Sequence, residues 1–290
     1  MELLKQLIPI LLTVSLALLV VAVGMASSRG DLLYVLRRPA QLARGLIAVS
    51  LIPVLAAAAV IAIFPVSHAS KAAIMLMAIS PVPPLVPGKM LKFGGRTEYA
   101  YGLYTAMALL AVFTVPIWGV LLNLYYGVHA SFPSAIVASN IFLGVVCPLA
   151  IGLLLGRWLA PRFAERAAPI VAKIGMGLVV LAFVPIIAKV WPALIGLIGD
   201  GTIVAMALIV TLMLAGGHLL GGPAVGDRAT LAFAAATRHP GIALALVGAN
   251  HGDQRLSGAV LLFLIVALVA MVPYQILLKR KLTPADQSTS

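Results

Sequence analysis

The stretch ATLAFAAATRHPGIALALVGANHG, from Ala229 to Gly252, is apolar at both ends, yet it carries Arg238, His239, Pro240 and Gly241 at its centre. It exceeds the roughly 20 residues that a helix needs to cross a hydrocarbon core. An arginine near the bilayer midplane costs about 2.5–3.5 kcal/mol on insertion scales. Pro240 has no amide hydrogen for the helical ladder. Two penalties at one depth are tolerated only where irregular backbone faces protein or a wet cavity, so the helix is expected to break at a site.

Ala72 to Phe93, AAIMLMAISPVPPLVPGKMLKF, repeats the pattern with Pro81, Pro83, Pro84 and Pro87, followed by Gly88 and Lys89. Each proline removes a donor and disfavours helix in the residue before it, so this segment too must unwind within the membrane. A pair of interrupted apolar segments, one in each half of a chain, points to a secondary transporter whose substrate sits where the breaks meet.

Composition places the chain among polytopic membrane proteins: 62% of 290 residues are hydrophobic, only 10% are charged, and the mean hydropathy is +1.13. The single cysteine, Cys147, excludes an internal disulfide and reads as a small hydrophobe. No metal-ligand spacing is found and no cofactor is implied. The net charge of +12 does not signal nucleic acid, because the basic residues lie in short loops between apolar runs.

About nine spans are expected: near 3–25, 46–64, the broken 72–93, 99–122, 133–158, from 174 to about 189, 202–220, the broken 229–252, and 256–278. The first is too long, and lacks the small-residue cleavage pattern, for a removed signal peptide. The loops after spans one, three, five and seven and the tail after span nine hold 15 of the 20 Lys and Arg residues. Among these are Arg29, Arg37, Arg38 and Arg44 in the first loop, and Arg157, Arg162, Arg166 and Lys173 in the loop after span five. These loops are expected on the cytoplasmic side of a plasma or bacterial inner membrane, which puts the N-terminus outside and the C-terminus inside. Residues 133–281 then form a five-helix unit and 1–126 the same unit without its first helix. Units with an odd number of helices insert in opposite orientations, which makes an inverted repeat. Residues 282–290 are a polar tail. The Gly216, Gly217, Gly221 and Gly222 run is expected to let neighbouring backbones approach closely.

The eight acids, Glu2, Asp31, Glu98, Glu165, Asp200, Asp227, Asp253 and Asp286, all fall in expected loops or at span ends, so no carboxylate is expected to be buried in the membrane. The crossing points instead supply Arg238 and Lys89, together with the positive ends of half-helix dipoles, and this centre favours an anion. Arg238 is a permanent charge beyond snorkelling range of either end of its segment. Lys89 is either a site residue or a plain lysine on the basic side. His239 is either a titrating group or a neutral, backbone-bonded imidazole. His218, Asn140 and Asn250 read as packing or loop groups, and Tyr101, Tyr104, Trp118 and Trp191 as interface anchors or packing.

The phrases ATRHPGIALAL, SPVPPLVPGKM and AGGHLLGG together resemble the bile acid–sodium symporter family, over nearly the whole chain. The resemblance implies an all-α fold in which two discontinuous helices cross in a core domain, here spans two, three, four, seven, eight and nine. A panel domain, here spans one, five and six, moves relative to it. Sodium-coupled members have a glutamate before the second break and an amide after it. Here Ala234 or Ala235, and Arg238 or His239, stand there. The family's asparagine of the first break falls at Pro87 or Gly88, and its glutamine in span two falls near Ala48. Thr105 alone could retain a hydroxyl ligand. The expected function is therefore alternating-access transport of a small organic anion, a carboxylate, a sulfonate or a bile-acid-like molecule, without the family's sodium sites. The expected binding residues are Arg238, His239, Lys89, Gly88, Thr237, Gly241 and Thr105, with proton or counter-anion coupling. Two alternatives stand beside it: a sodium-coupled symporter using residual ligands, and a non-transporting sensor or binding protein. An enzyme is not expected, since no metal cluster and no buried acid is on offer.

Overall fold

The computed structural model describes residues 2–28, 30–126, 134–249 and 253–281, and among them all regular structure is helical. In chain order the elements are α1 (Glu2–Ala26), α2 (Asp31–Leu36), α3 (Pro39–Leu46), α4 (Ile52–Ile63), α5 (His68–Ile79), α6 (Val86–Leu91), α7 (Thr97–Tyr126) and α8 (Ser134–Ile141). They continue with α9 (Cys147–Leu154), α10 (Pro161–Ile195), α11 (Thr202–Leu220), α12 (Val225–Ala236), α13 (Pro240–Ala249), α14 (Gln254–Ala270) and α15 (Val272–Lys281). A π-helical turn, Ile47–Leu51, joins α3 to α4; another, Phe142–Val146, joins α8 to α9. In both, the next helix carries proline in its first turn, Pro53 and Pro148. Proline cannot donate into the ladder, and the wider turn before it accommodates the gap.

Among the described residues, seven helices are long and apolar enough to cross a membrane, and two shorter apolar ones, Ile10–Ala26 and His68–Ile79, accompany them. Large aliphatic and aromatic side chains such as Ile63, Phe113, Leu143, Val184 and Val269 stand exposed on the outer surface. That is an exterior suited to lipid rather than water, and the chain is an integral membrane protein.

The loops are less plain than expected. Pro161 starts α10 at the N1 position, so Arg162, Arg166 and Lys173 ride on the first turns of a 35-residue helix rather than on a connector. The connector after α1 folds into the short helix α2. Its Asp31 lies in the connector, where the sequence places it, but is fully buried within the protein. The Ser28 amide donates to Asp31 at 2.7 Å, and the hydroxyls of Ser27 and Ser28 donate to the same carboxylate, which sits in the first turn of α2 where the helix dipole favours it. Asp227, 3% exposed in the first turn of α12, is a second buried acid. It accepts from Arg96 Nε at 3.0 Å and also from its Nη2, which ties the end of the first broken segment to the start of the second. That pairing raises the affinity of Arg96 for its proton above the ordinary guanidinium range.

Small residues bring the helices together as expected. A Cβ on Gly217 would lie 2.6 Å from the Cα of Ala232, and one on Gly221 would lie 2.3 Å from the Cα of Arg228, so α11 and α12 pack backbone to backbone. α1 packs chiefly on α9 and α10, while α5 packs on α14 and α4 on α11. Asn140 is exposed on α8, whereas Asn250 and the 282–290 tail lie outside the described residues. Cys147 is half-buried and unpaired by a disulfide.

Candidate functional site

The two breaks meet. The first runs from Ser80 to Leu85 between α5 and α6, and the second is the extended Thr237–His239 between α12 and α13. Pro240 opens α13, a position where its missing N–H costs nothing. The His239 amide donates to the Pro81 carbonyl at 3.0 Å, so one interruption is stitched to the other through backbone.

Arg238 is 3% exposed and lies at this junction. Nη1 donates to the Ser80 carbonyl at 2.9 Å, and Nη2 donates to the Val49 carbonyl at 2.8 Å and to the Ala235 carbonyl at 2.6 Å. Each of these carbonyls lacks its α-helical donor four residues on. For Val49 and Ser80 that donor would be Pro53 and Pro84, which have no N–H, and for Ala235 it would be His239, whose N–H goes to Pro81. Buried carbonyls without partners cost about 1–3 kcal/mol each. One guanidinium thus serves three orphaned carbonyls on three segments, and no carboxylate pairs with it among the described residues. Its Nε has no partner there either. Arg238 is expected among the binding residues, but a bidentate grip on a substrate carboxylate does not fit this arrangement, because both terminal nitrogens are engaged internally.

His239 is 2% exposed, and its Nδ1 accepts from the Ile242 amide at 3.3 Å, capping the first turn of α13. The cap needs an unprotonated Nδ1, which favours the neutral, backbone-bonded imidazole over a proton carrier. Gly241 is buried, and a Cβ there would lie 2.7 Å from Leu16, so it makes close contact with α1. Thr105 is fully buried with no partner for its hydroxyl among the described residues.

Lys89 and Thr237 converge elsewhere. Lys89 Nζ lies 3.8 Å from the sulfur of Met271 and 5.0 Å from the centroid of the Phe233 ring, and Thr237 Oγ1 lies 3.7 Å from the same sulfur. Two donors, one of them cationic, therefore share a weak acceptor. Phe233 stacks edge-on against Tyr274, whose hydroxyl lies 2.8 Å from His218 Nδ1, so His218 has the packing role expected of it. Sequence reasoning missed Met271; a methionine in an apolar span gives no signal of its own.

Gly88 is exposed and lines a cleft of about 640 Å³ together with Leu19 and Ala22 of α1, Leu85, Tyr101 and Arg162. Its walls are α1 and the start of α10 on one side, and α6 and α7 on the other. Trp118 donates to Ser50 Oγ at 2.8 Å and Tyr104 is buried, so both pack, while Trp191 is half exposed.

Apolar spans around two interrupted helices that meet at a charged crossing define a polytopic membrane transporter architecture. A family model described as the sodium bile acid symporter family matches residues 13–194, and the chain belongs to that family. The match includes the first broken segment and ends before α11. A comparison with curated proteins found no match.

Proposed function

We propose that the protein is a secondary active transporter of a small organic anion, working by alternating access without the family's sodium sites. The observation that carries this is Arg238: a buried positive charge, held by three carbonyls, stands at the crossing where a coupling cation would otherwise be coordinated. Two unit charges about 4 Å apart repel by about 4 kcal/mol at an effective dielectric of 20. We read Arg238 as an internal substitute for that cation, acting through the place it fills and the shape it gives the crossing.

The anionic end of the substrate is assigned to Lys89 and Thr237, whose donors share the Met271 sulfur as their one hydrogen-bond acceptor among the described residues. An oxyanion is a far better acceptor than a thioether. The body of the substrate takes the cleft beside Gly88, whose mainly aliphatic lining suits an apolar skeleton. Thr105, His239 and Gly241 support the crossing rather than touch substrate.

In this reading nine spans form an inverted repeat, 1–126 and 133–281. The panel comprises α1, α8–α9 and α10, and the remaining spans form the core. The packing of α1 on α9 and α10 and the cleft between α1–α10 and α6–α7 support that division. The cleft reaches Arg162 and Glu165, beside the basic connectors, which supports a state open to the cytoplasm. Uptake of labelled organic anions into proteoliposomes tests the proposal. Accumulation or exchange across the bilayer supports it, and binding without movement would assign the protein to the sensor class instead.

A further inference from the structure

A second, much smaller cavity lies against Arg238. Its volume is about 20 Å³, and its lining includes Arg238, Ser50 and Thr114 with an apolar wall of Ile79, Met107 and Leu110. One water-sized occupant needs roughly 10–15 Å³ on this measure, so the space suits a single atom and excludes a carboxylate with a carbon skeleton. The donor inventory here is one-sided. Ser50 Oγ already accepts from Trp118 Nε1 at 2.8 Å, so its own hydrogen needs an acceptor, and it has none among the described residues. Thr114 brings a second hydroxyl to the lining, and Arg238 keeps an Nε without a partner among the described residues. The carbonyls of Val49 and Ser80, two of the lining residues, already receive Arg238. The guanidinium also keeps its full charge, since carbonyl dipoles satisfy hydrogens without neutralising it, and a buried unpaired charge is costly.

We propose that this cavity binds one monatomic halide, chloride under cellular conditions, as the counter-ion of Arg238. A halide accepts from two hydroxyls and the guanidinium without needing an acceptor in return, and its weakly hydrated surface tolerates the apolar wall. A water would need partners for its two hydrogens, and a cation would meet Arg238. Ser50 and Thr114 are half-buried while Val49, Ser80 and Arg238 are buried, which gives the site an inner charged end and an outer hydroxyl end.

The test uses the purified full chain in detergent, without substrate or gradient, so its result is independent of the transport reading. The thermal unfolding midpoint is followed while sodium chloride or sodium bromide replaces sodium gluconate at constant ionic strength. A saturable rise with either halide is expected. Thr114→Val keeps the shape of the side chain and leaves Arg238 on its carbonyls, and it is expected to weaken the apparent halide affinity about ten-fold, with Thr114→Ser close to wild type. Anomalous scattering from bromide-soaked crystals is expected to show one site between Thr114 and Arg238. No halide-dependent rise, a rise equally strong in Thr114→Val, or an empty cavity at saturating bromide would each overturn the proposal and leave the space to water.

Discussion

Arg238 and Ser80 are 158 residues apart, and Nη1 of the first donates to the carbonyl of the second at 2.9 Å. The bond closes the junction between the two interrupted helices from the side-chain side, as the His239 amide closes it from the backbone side on Pro81. Deleting the guanidinium releases three buried carbonyls at once, so Arg238→Ala is expected to destabilise the protein by about 3 kcal/mol or more, at about 1–3 kcal/mol per unpaired group. Arg238→Lys keeps the charge but not a planar fork that spans three acceptors, and it is expected to recover only part of the loss. Thermal unfolding of the two variants beside wild type checks the order.

Lys89→Gln is expected to act on substrate affinity. Removing a charge-assisted hydrogen bond costs about 1.5–3 kcal/mol, or roughly ten- to a hundred-fold at 1.4 kcal/mol per factor of ten. The concentration of anion giving half-maximal uptake is expected to rise by that factor, with thermal stability little changed, because Lys89 is half exposed and, among the described residues, makes sulfur and ring contacts alone. Unaltered affinity would remove Lys89 from the site.

Glycine positions separate packing from passage. A Cβ at Gly226 would lie 1.8 Å from the Gly94 carbonyl oxygen, whereas one at Gly88 meets nothing within 4 Å. Gly226→Ala is therefore expected to impair folding, and Gly88→Ala to be tolerated. Gly88→Trp projects a large side chain into the cleft and is expected to stop uptake in a protein that still elutes as a monodisperse peak on size exclusion.

His239→Asn tests the capping role. Asparagine is a strong N-cap residue and does not titrate. If the imidazole serves α13 only as an acceptor, the variant retains uptake, and the rate in wild type and variant changes little between pH 6 and pH 8. Loss of a proton-driven component in the variant alone would restore His239 as a proton carrier.

Much of this organisation was legible in the sequence because it follows from local penalties. Pro53, Pro84 and Pro240 announce missing donors wherever they stand in an apolar run, and a lone Arg238 at mid-segment announces a polar enclosure. The fate of the guanidinium was not legible, since Val49 and Ser80 join Arg238 only through tertiary packing, and carbonyls carry no residue-type signature. Asp31 and Asp227 were read as loop acids for a similar reason: their burial depends on Ser27, Ser28 and the distant Arg96, not on their neighbours' hydropathy. Met271 entered the site only because α14 bends into α15 beside Thr237.

The expectation that follows most directly from Arg238 is that flux does not depend on Na⁺. A sodium ion in the family position would have to approach the crossing that the guanidinium fills, against repulsion of about 4 kcal/mol at 4 Å and an effective dielectric of 20. That weakens binding by nearly three orders of magnitude at 1.4 kcal/mol per factor of ten. The carbonyls of Val49, Ser80 and Ala235 are also already hydrogen-bonded, and the described acids nearest in sequence, Asp227 and Asp253, lie at the outer ends of their helices, where Asp253 caps α14. Hard cations need oxygen ligands, normally with some negative charge, and Thr105 alone does not supply them. Initial rates in proteoliposomes with Na⁺ replaced by K⁺ or choline at constant ionic strength are expected to agree within about two-fold, a difference of less than half a kcal/mol. A large loss on removing Na⁺, reversed on restoring it, would mean that the hydroxyls of Thr105 and Thr237, with backbone carbonyls, coordinate sodium despite the arginine.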